Sequence, residues 1–328
     1  MTPVFSWKRL GKLFDPQLLH PHPWMMEFAQ CPTPLLLDEH TVRVFFATRP
    51  QRDSKGLYVS RPGYVDLSRY NLQDIKAVSP QPLLELGQTG AFDEFGIMPS
   101  SVVRDGNDLY MYYTGWTRME SVPYTTAIGV AVSHDHGKTF SRIAPGPVLG
   151  LSLDEPYMVN SPIVKIINDC WHMWYVSGKR WIETEAGPEI VFQHAHATSS
   201  DGLHWKQRRT SIVPALSDDE CQDLLCPIQI DGQWHAFFAY RNATGFRTRH
   251  ERAYRLAYAR SDDLQNWTRY EIPSLLERSD EGWDSQMICS TQFLEMDGRR
   301  WLFYCGNEFG RAGFGAAELL VTPTTAAA

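Results

Sequence analysis

Asp93 and Glu94 stand side by side in the stretch AFDEFGIMPSSVV, a few residues before an apolar run that includes Val102 and Val103. Acids take similar places elsewhere: Glu27, then Asp154 and Glu155, then Glu220 and Asp223, then Asp284. Each lies eight to fourteen residues before a polar turn, at Asp38, Asp105, Asn168, Asp231 or Asp297, and Lys and Arg are absent from these places. Two carboxyl groups brought together can do acid–base work. One, held protonated, donates to a leaving oxygen, while the other attacks or activates water. Crowding of like charges would itself raise one of the two pKa values. The pair favoured here is Asp93 or Glu94 with Asp223. The competing reading is that these acids hold water, a cation or each other's loops.

Acids so far apart in sequence need a repeating scaffold to meet. Five segments supply it: PTPLLLDEHTVRVFFATR, PSSVVRDGNDLYMYYTGW, SPIVKIINDCWHMWYVSG, CPIQIDGQWHAFFAYR and STQFLEMDGRRWLFYCGN. Each reads as an apolar strand, a polar turn and an aromatic-rich strand. Their turns recur at intervals of 67, 63, 63 and 66 residues, the signature of an internal repeat. Asp-Gly at three of the turns is a strong hairpin signal. A third, small-residue strand follows each pair (GLYVS, AIGVAVS, FQHAHATS, RLAYARS, GFGAAELL), and then a short aromatic one as in DGLHWKQRR. Four strands, five times, predict an all-β, five-bladed β-propeller. No long segment has helical periodicity.

The fifth repeat runs out after its third strand, near Leu320, whereas FSWKRLGKLF at the start resembles the fourth strands HWKQRRTSIV and NWTRYEIPSL. Residues 5–10 are therefore expected to close the last blade. The expected blades are 28–85, 92–148, 156–213, 221–275 and 285–322 of one domain, 1–328.

PSSVVRDGNDLYMYYTGW…AIGVAVSHDHGKTFSRI is similar to blades of the five-bladed glycosidase superfamily, which includes glycoside hydrolase families 32, 43, 68 and 130. FDEFGIMPSSVV resembles the second-blade segment of families 32 and 43. The resemblance implies a carbohydrate-active enzyme that cleaves or transfers a glycosidic bond. Family 32 carries acids in Asn-Asp-Pro, Arg-Asp-Pro and Glu-Cys-Pro segments. The matching residues here are Gln30-Cys31-Pro32, Asn160-Ser161-Pro162 and Leu225-Cys226-Pro227, so those three acids are replaced. The Glu-Asp-Pro-Arg segment of family 130 is missing as well. The alternative is a non-hydrolytic sugar-binding or sugar-biosynthetic propeller. SHDHGKTF resembles the Asp-box of sialidases, a structural turn between outer strands.

The expected ligand is a sugar or oligosaccharide. Glu27, Glu155 and Asp284 would support the reacting pair, and Trp24 and Trp116 would offer flat faces to sugar rings, although such aromatics also pack between blades. Arg49, Lys179 and Arg241, at the ends of second strands, would rim the mouth. Five arginines and His250 within Arg241–Arg255 suit an anionic sugar, since guanidinium forks bind carboxylate or phosphate. His194 and His196 share a strand face but bring no third ligand at telling spacing, so no metal and no cofactor is expected. A calcium ion held by acids and water in the channel is the alternative use of the same carboxylates.

The net charge of −7 argues against a nucleic-acid partner, and no 18-residue apolar run points to a membrane span. The first residues lack the apolar core of a secretory signal, and six scattered cysteines read as reduced thiols of a cytoplasmic protein.

Overall fold

The structure, a computed structural model, describes residues 4–19, 21–208, 211–272 and 274–322. Blade one comprises β2 (Glu27–Leu36), β3 (Thr41–Arg49), β4 (Arg61–Ser68) and β5 (Asn71–Val78). Blade two comprises β6 (Gly96–Asp105), β7 (Asp108–Arg118), β8 (Tyr124–Ser133) and β9 (Ser141–Arg142). Blade three has β10 (Val159–Ile167), β11 (Cys170–Ile182), β12 (Glu189–Ser199) and β13 (Lys206–Arg208). Blade four has β14 (Glu220–Ile230), β15 (Gln233–Asn242), β16 (Arg255–Ser261) and β17 (Thr268–Tyr270). Blade five takes β18 (Cys289–Met296), β19 (Arg299–Cys305) and β20 (Phe314–Thr322) from the end of the chain and β1 (Val4–Phe14) from its start.

The blade order follows from local turn chemistry. Asn168–Asp169, Asp231–Gly232 and Asp297–Gly298 all place two successive residues at positive φ, the requirement of the tight turn that matches strand twist. Each inner strand is thereby folded back on its neighbour. All four strands of a blade are antiparallel. Hence the loops that precede the inner strands and those that join second to third strands lie on one face. The outer turns repeat a Ser-x-Asp device. Asp135, Asp201 and Asp263 each accept a hydroxyl from the serine two residues before (133, 199 and 261) and backbone N–H groups from residues just ahead. The Asp-box thus shapes turns in three blades.

Five clusters of buried side chains fill the five seams between blades. Phe45, Ile97 and Tyr113 join blades one and two, Tyr112, Val164 and Met173 join two and three, and Trp174, Leu225 and Phe238 join three and four. Blades four and five share Phe237, Tyr258, Ile288 and Tyr304, and blades five and one share Phe46, Val65, Phe303 and Phe314. No helix among the described residues is long and apolar enough to cross a membrane.

β1 pairs with β20 from Val4↔Thr322 to Phe14↔Phe314, so the closing strand is longer than residues 5–10. Phe5, 2% exposed, meets Phe237 and Tyr258 edge-on at 5.3 and 5.2 Å. It therefore fixes the closing strand to blade four as well. Phe5→Ala is expected to cost about 3–5 kcal/mol of stability, the usual range for a buried Phe truncation, as measured by urea unfolding.

Candidate active site

The antiparallel order places the start of every inner strand at one face, and each inner strand is bulged just inside that face. The pairing slips between Gln30 and Thr33, Pro99 and Ser101, Asn160 and Ile163, Asp223 and Cys226, and Cys289 and Gln292. Cys31, Ser161, Leu224 and Ser290 sit in these bulges at positive φ. For a residue with a Cβ such a conformation costs on the order of 1–3 kcal/mol and concentrates at functional sites.

Asp223 lies in the blade-four bulge. Its Oδ2 accepts the Ser290 N–H at 3.0 Å and the Ser290 hydroxyl at 3.2 Å, across the seam to blade five. Ser161 of blade three also hydrogen-bonds it, and Arg241 and Cys31 are within electrostatic reach. Cys31 Sγ is 3.8 Å from Ser290 Oγ. Side chains of blades one, three, four and five therefore converge on one carboxyl group. No ion pair reaches Asp223 among the described residues. Burial pushes its pKa up, outweighing the hydrogen bonds from Ser290 and Ser161 that favour the anion. Further along the inner strands, Gln292 Nε2 of blade five donates to Thr33 Oγ1 of blade one at 2.9 Å and to the Ser100 carbonyl of blade two at 2.7 Å.

Glu27 begins β2 at the same face and has the opposite character. Burial pulls its pKa up, but hydrogen bonds from Tyr58 (2.8 Å to Oε2) and Arg311 (3.2 Å to Oε1) together outweigh it, and the pKa is lowered. Glu27 is thus biased toward the anion, where Asp223 is biased toward the acid.

Arg241 forms part of the wall beside Asp223. Its guanidinium is buried, lies 3.6 Å from the Phe246 ring centroid and donates to the carbonyls of Asn242 and Ala243. It organises its own loop rather than rimming the opening as a free cation. In that loop Arg252 pairs with Asp219, and Arg247 pairs with Glu189. His194 is buried edge-on to Phe238, with burial taking its pKa down to about 3. It is a neutral core side chain behind the Asp223 backbone.

The remaining acids do other work. Asp93, with no exposed surface, accepts the Tyr113 hydroxyl at 2.9 Å and forms an ion pair with Arg142 at 2.7 Å. Asp284 does the same with Tyr304 at 2.9 Å and Arg9 at 2.6 Å, and Glu155 accepts from Tyr175 at 3.0 Å. Each acid is tied to the second strand of its own blade, and Arg142 and Arg9 extend two of these ties to the outermost strand. In blade four the equivalent ring is Phe238, which has no hydroxyl. Glu220 instead accepts from Gln222 and from Arg269, on the outer strand. Asp93, expected to react, and Glu155 and Asp284, expected to support it, are thus each locked to a tyrosine of their own blade. Their sequence signal is an acid twenty residues before a tyrosine. Glu94 accepts the Gly90 N–H at 2.9 Å and shapes the turn before β6. Neither Asp93 nor Glu94 is hydrogen-bonded to Asp223 among the described residues.

Two aromatic expectations also change. Trp24 stacks on His22 and reaches the Pro80 carbonyl, on the flank of blade one. Trp116 lies against Gly96, where a Cβ would fall 1.6 Å from its Nε1, and tilts onto Phe95. Lys179, its pKa lowered by burial, is near Glu155 rather than Asp223. Residues missed by sequence reading are Ser161, Ser290 and Cys31 as neighbours of Asp223, and Tyr58 as the partner of Glu27. Blade four's bulge starts at Asp223, in register with Gln30 and Asn160, so Leu225 is not the equivalent residue.

The fold defined here is the five-bladed β-propeller shared with known carbohydrate-active enzymes. A structure described as a glycoside hydrolase superposes with a TM-score of 0.74 at 16% identity, covering 99% of this chain and 94% of that one. Beta-1,2-mannobiose phosphorylase from Listeria innocua gives 0.66 at 13%, covering 97% and 96%. The Bombyx mori GH32 beta-fructofuranosidase BmSUC1 gives 0.61 at 15%, covering 99% and 65%. No family model matches the chain. It belongs to the same family as Uncharacterized protein MT1551 of Mycobacterium tuberculosis (strain CDC 1551 / Oshkosh), with 32% identity over 319 residues, 96% of this chain and 99% of that protein. Uncharacterized protein Rv1502 of Mycobacterium tuberculosis (strain ATCC 25618 / H37Rv) is 31% identical over the same length.

Two outcomes follow from the contrast between lock and mouth. Asp93→Asn is expected to lower stability by about 3–5 kcal/mol by leaving Arg142 without its buried partner, as read by urea unfolding. Asp223 behaves oppositely. Its raised pKa means the folded state holds the proton more tightly, so this stabilisation is present below the ordinary aspartate pKa of about 3.9 and is lost as pH rises through the higher folded value. Unfolding curves across that window should show Asp223→Asn gaining on the wild type as pH increases. A constant difference would contradict the shift.

Proposed function

We propose that this protein is a carbohydrate-active enzyme that cleaves or transfers a glycosidic bond at the channel mouth. Asp223 is the proton donor, and Glu27 is the ionised carboxylate that activates water or attacks. The observation that carries this reading is the opposite bias of two carboxyl groups at one face. Asp223 is buried among hydroxyl and thiol groups, whereas Glu27 is held as an anion by Tyr58 and Arg311. Environments that push two carboxyl pKa values apart are how acid and base roles are divided at neutral pH. Ser290, through its N–H and hydroxyl, fixes the Asp223 oxygen opposite the one that would meet the glycosidic oxygen. As the bond to the leaving group breaks, the proton of Asp223 passes to that oxygen. Water, deprotonated by Glu27, or another acceptor then takes the sugar. The reading is supported by the fold shared with glycoside hydrolases and a phosphorylase.

A second reading, a sugar-binding propeller without turnover, draws on Glu27 itself: both of its oxygens already hold protein donors. One experiment separates the two. Across a panel of aryl glycosides and oligosaccharides, with and without phosphate, the wild type should release product. Asp223→Asn and Glu27→Gln should each lower kcat at least 100-fold, the general acid–base range, with calorimetric sugar binding retained. Saturable binding with no product in the wild type favours the second reading. Full turnover in both variants would exclude this pair.

A further inference from the structure

Beside Glu27 lies a group of guanidiniums that the acid–base chemistry does not use. Arg49, at the mouth end of β3, is half-buried between Phe28 and Tyr58, with its guanidinium carbon 4.3 and 4.8 Å from the two ring centroids. Its one side-chain partner among the described residues is neutral, Gln30 Oε1 at 3.1 Å, and its buried Nε has none. Burial takes its pKa down to about 10, with Arg52 adding to the shift and Tyr58 and Glu27 opposing it. Arg52 stacks on the other part of the Tyr58 surface at 4.2 Å, and Arg118 comes in from blade two, stacked on Phe95 at 4.1 Å and donating to the Tyr58 carbonyl at 2.8 Å.

The nearby acids are otherwise engaged. Glu27 accepts from Tyr58 and Arg311, and Asp53 accepts the backbone N–H groups of Lys55 and Leu57. No carboxylate is within ion-pair distance of Arg49, Arg52 or Arg118 among the described residues. Glu27 acts on Arg49 and Arg52, and Asp53 on Arg118, only from beyond contact, so these guanidiniums keep donors that no carboxylate touches, and a further negative charge would be favoured there. The position says where that charge would come from. Gln30, which holds Arg49, directly precedes Cys31, which touches Ser290, which in turn holds Asp223. Arg49 is thus linked through Gln30 and Cys31 to the serine that holds Asp223.

Resting on the proposed glycosidic-bond chemistry, we infer that Arg49, with Arg52 and Arg118, forms a subsite for an oxyanion, the carboxylate or phosphate of an anionic sugar bound against Tyr58. The planar fork of Arg49, pinned between two rings, presents its donors to such a group, and Tyr58 offers an aromatic face beside it.

The test is a binding series on the full chain by calorimetry, with glucuronate, glucose 6-phosphate, inorganic phosphate and neutral glucose at millimolar concentration. At least one charged probe is expected to bind tenfold or more tightly than glucose, and the preference should weaken as salt rises. Binding of glucuronate but not of phosphate assigns a carboxylate. Binding of glucose 6-phosphate and phosphate assigns a phosphoryl group. Arg49→Gln should remove the preference, and Arg118→Gln should reduce it while leaving the circular dichroism melt unchanged. Asp223→Asn should leave it intact. Equal binding of charged and neutral probes, no binding of any charged probe, or a preference untouched by both arginine variants overturns the inference. A preference that persists while Asp223→Asn retains full turnover would overturn the catalytic reading and leave the anion subsite standing.

Discussion

Everything at the mouth depends on the ring being closed, and closure rests on the antiparallel pairing of β1 with β20. A propeller blade buries its faces only against its neighbours, so an open ring would expose two blade faces. The chain closes it by lending its first strand to its last blade, which fixes the seams on both sides of blade five. Phe5 on this strand reaches blade four, while Phe14 and Phe314 join the cluster shared with blade one. With the ring closed, five inner strands must start at one face, and their bulges bring Cys31, Ser161, Asp223 and Ser290 around one point.

The acids divide into two groups according to what burial does with them. Asp93 and Asp284 are buried and paired with a more exposed arginine from the outer strand of the same blade. These ion pairs are part of how a blade holds its thin fourth strand, which in blade two is a mere two residues long. Breaking such a pair is costlier than forming it is favourable, so these residues bear on stability. Asp223 is buried without a cation in contact, and its partners are hydroxyls and a backbone N–H. That is the environment in which a carboxyl group keeps its proton.

Sequence periodicity was enough to reveal the architecture. The five turns, the Asp-Gly steps and the resemblance of the first strand to outer strands lead to the observed blade order, because hairpin turns and strand alternation are local properties. The site was legible only in part. Asp223 and Glu27 stand out as acids ahead of an inner strand, yet so do Asp93 and Asp284. What separates them is a tyrosine twenty residues on and an arginine in the outer strand, and those contacts are made by strands that pair after folding. The blade-four bulge also shifts the register by residues that no pattern in DLLCPIQ announces.

The sequence by itself determined that there are five blades, where each turns, and that the first strand belongs with the last blade, since each of these follows from short-range propensity and repetition. Only the tertiary structure decided which carboxylates meet an arginine and which meet a serine. It also decided that Gln30 rather than an acid accepts from Arg49, and that Arg241 turns inward to hold its own loop. The physical reason is that burial and charge pairing depend on side chains far apart in sequence, 49 residues for Asp93 and Arg142 and 67 for Asp223 and Ser290, which become neighbours only when the strands of a blade pair and the ring closes.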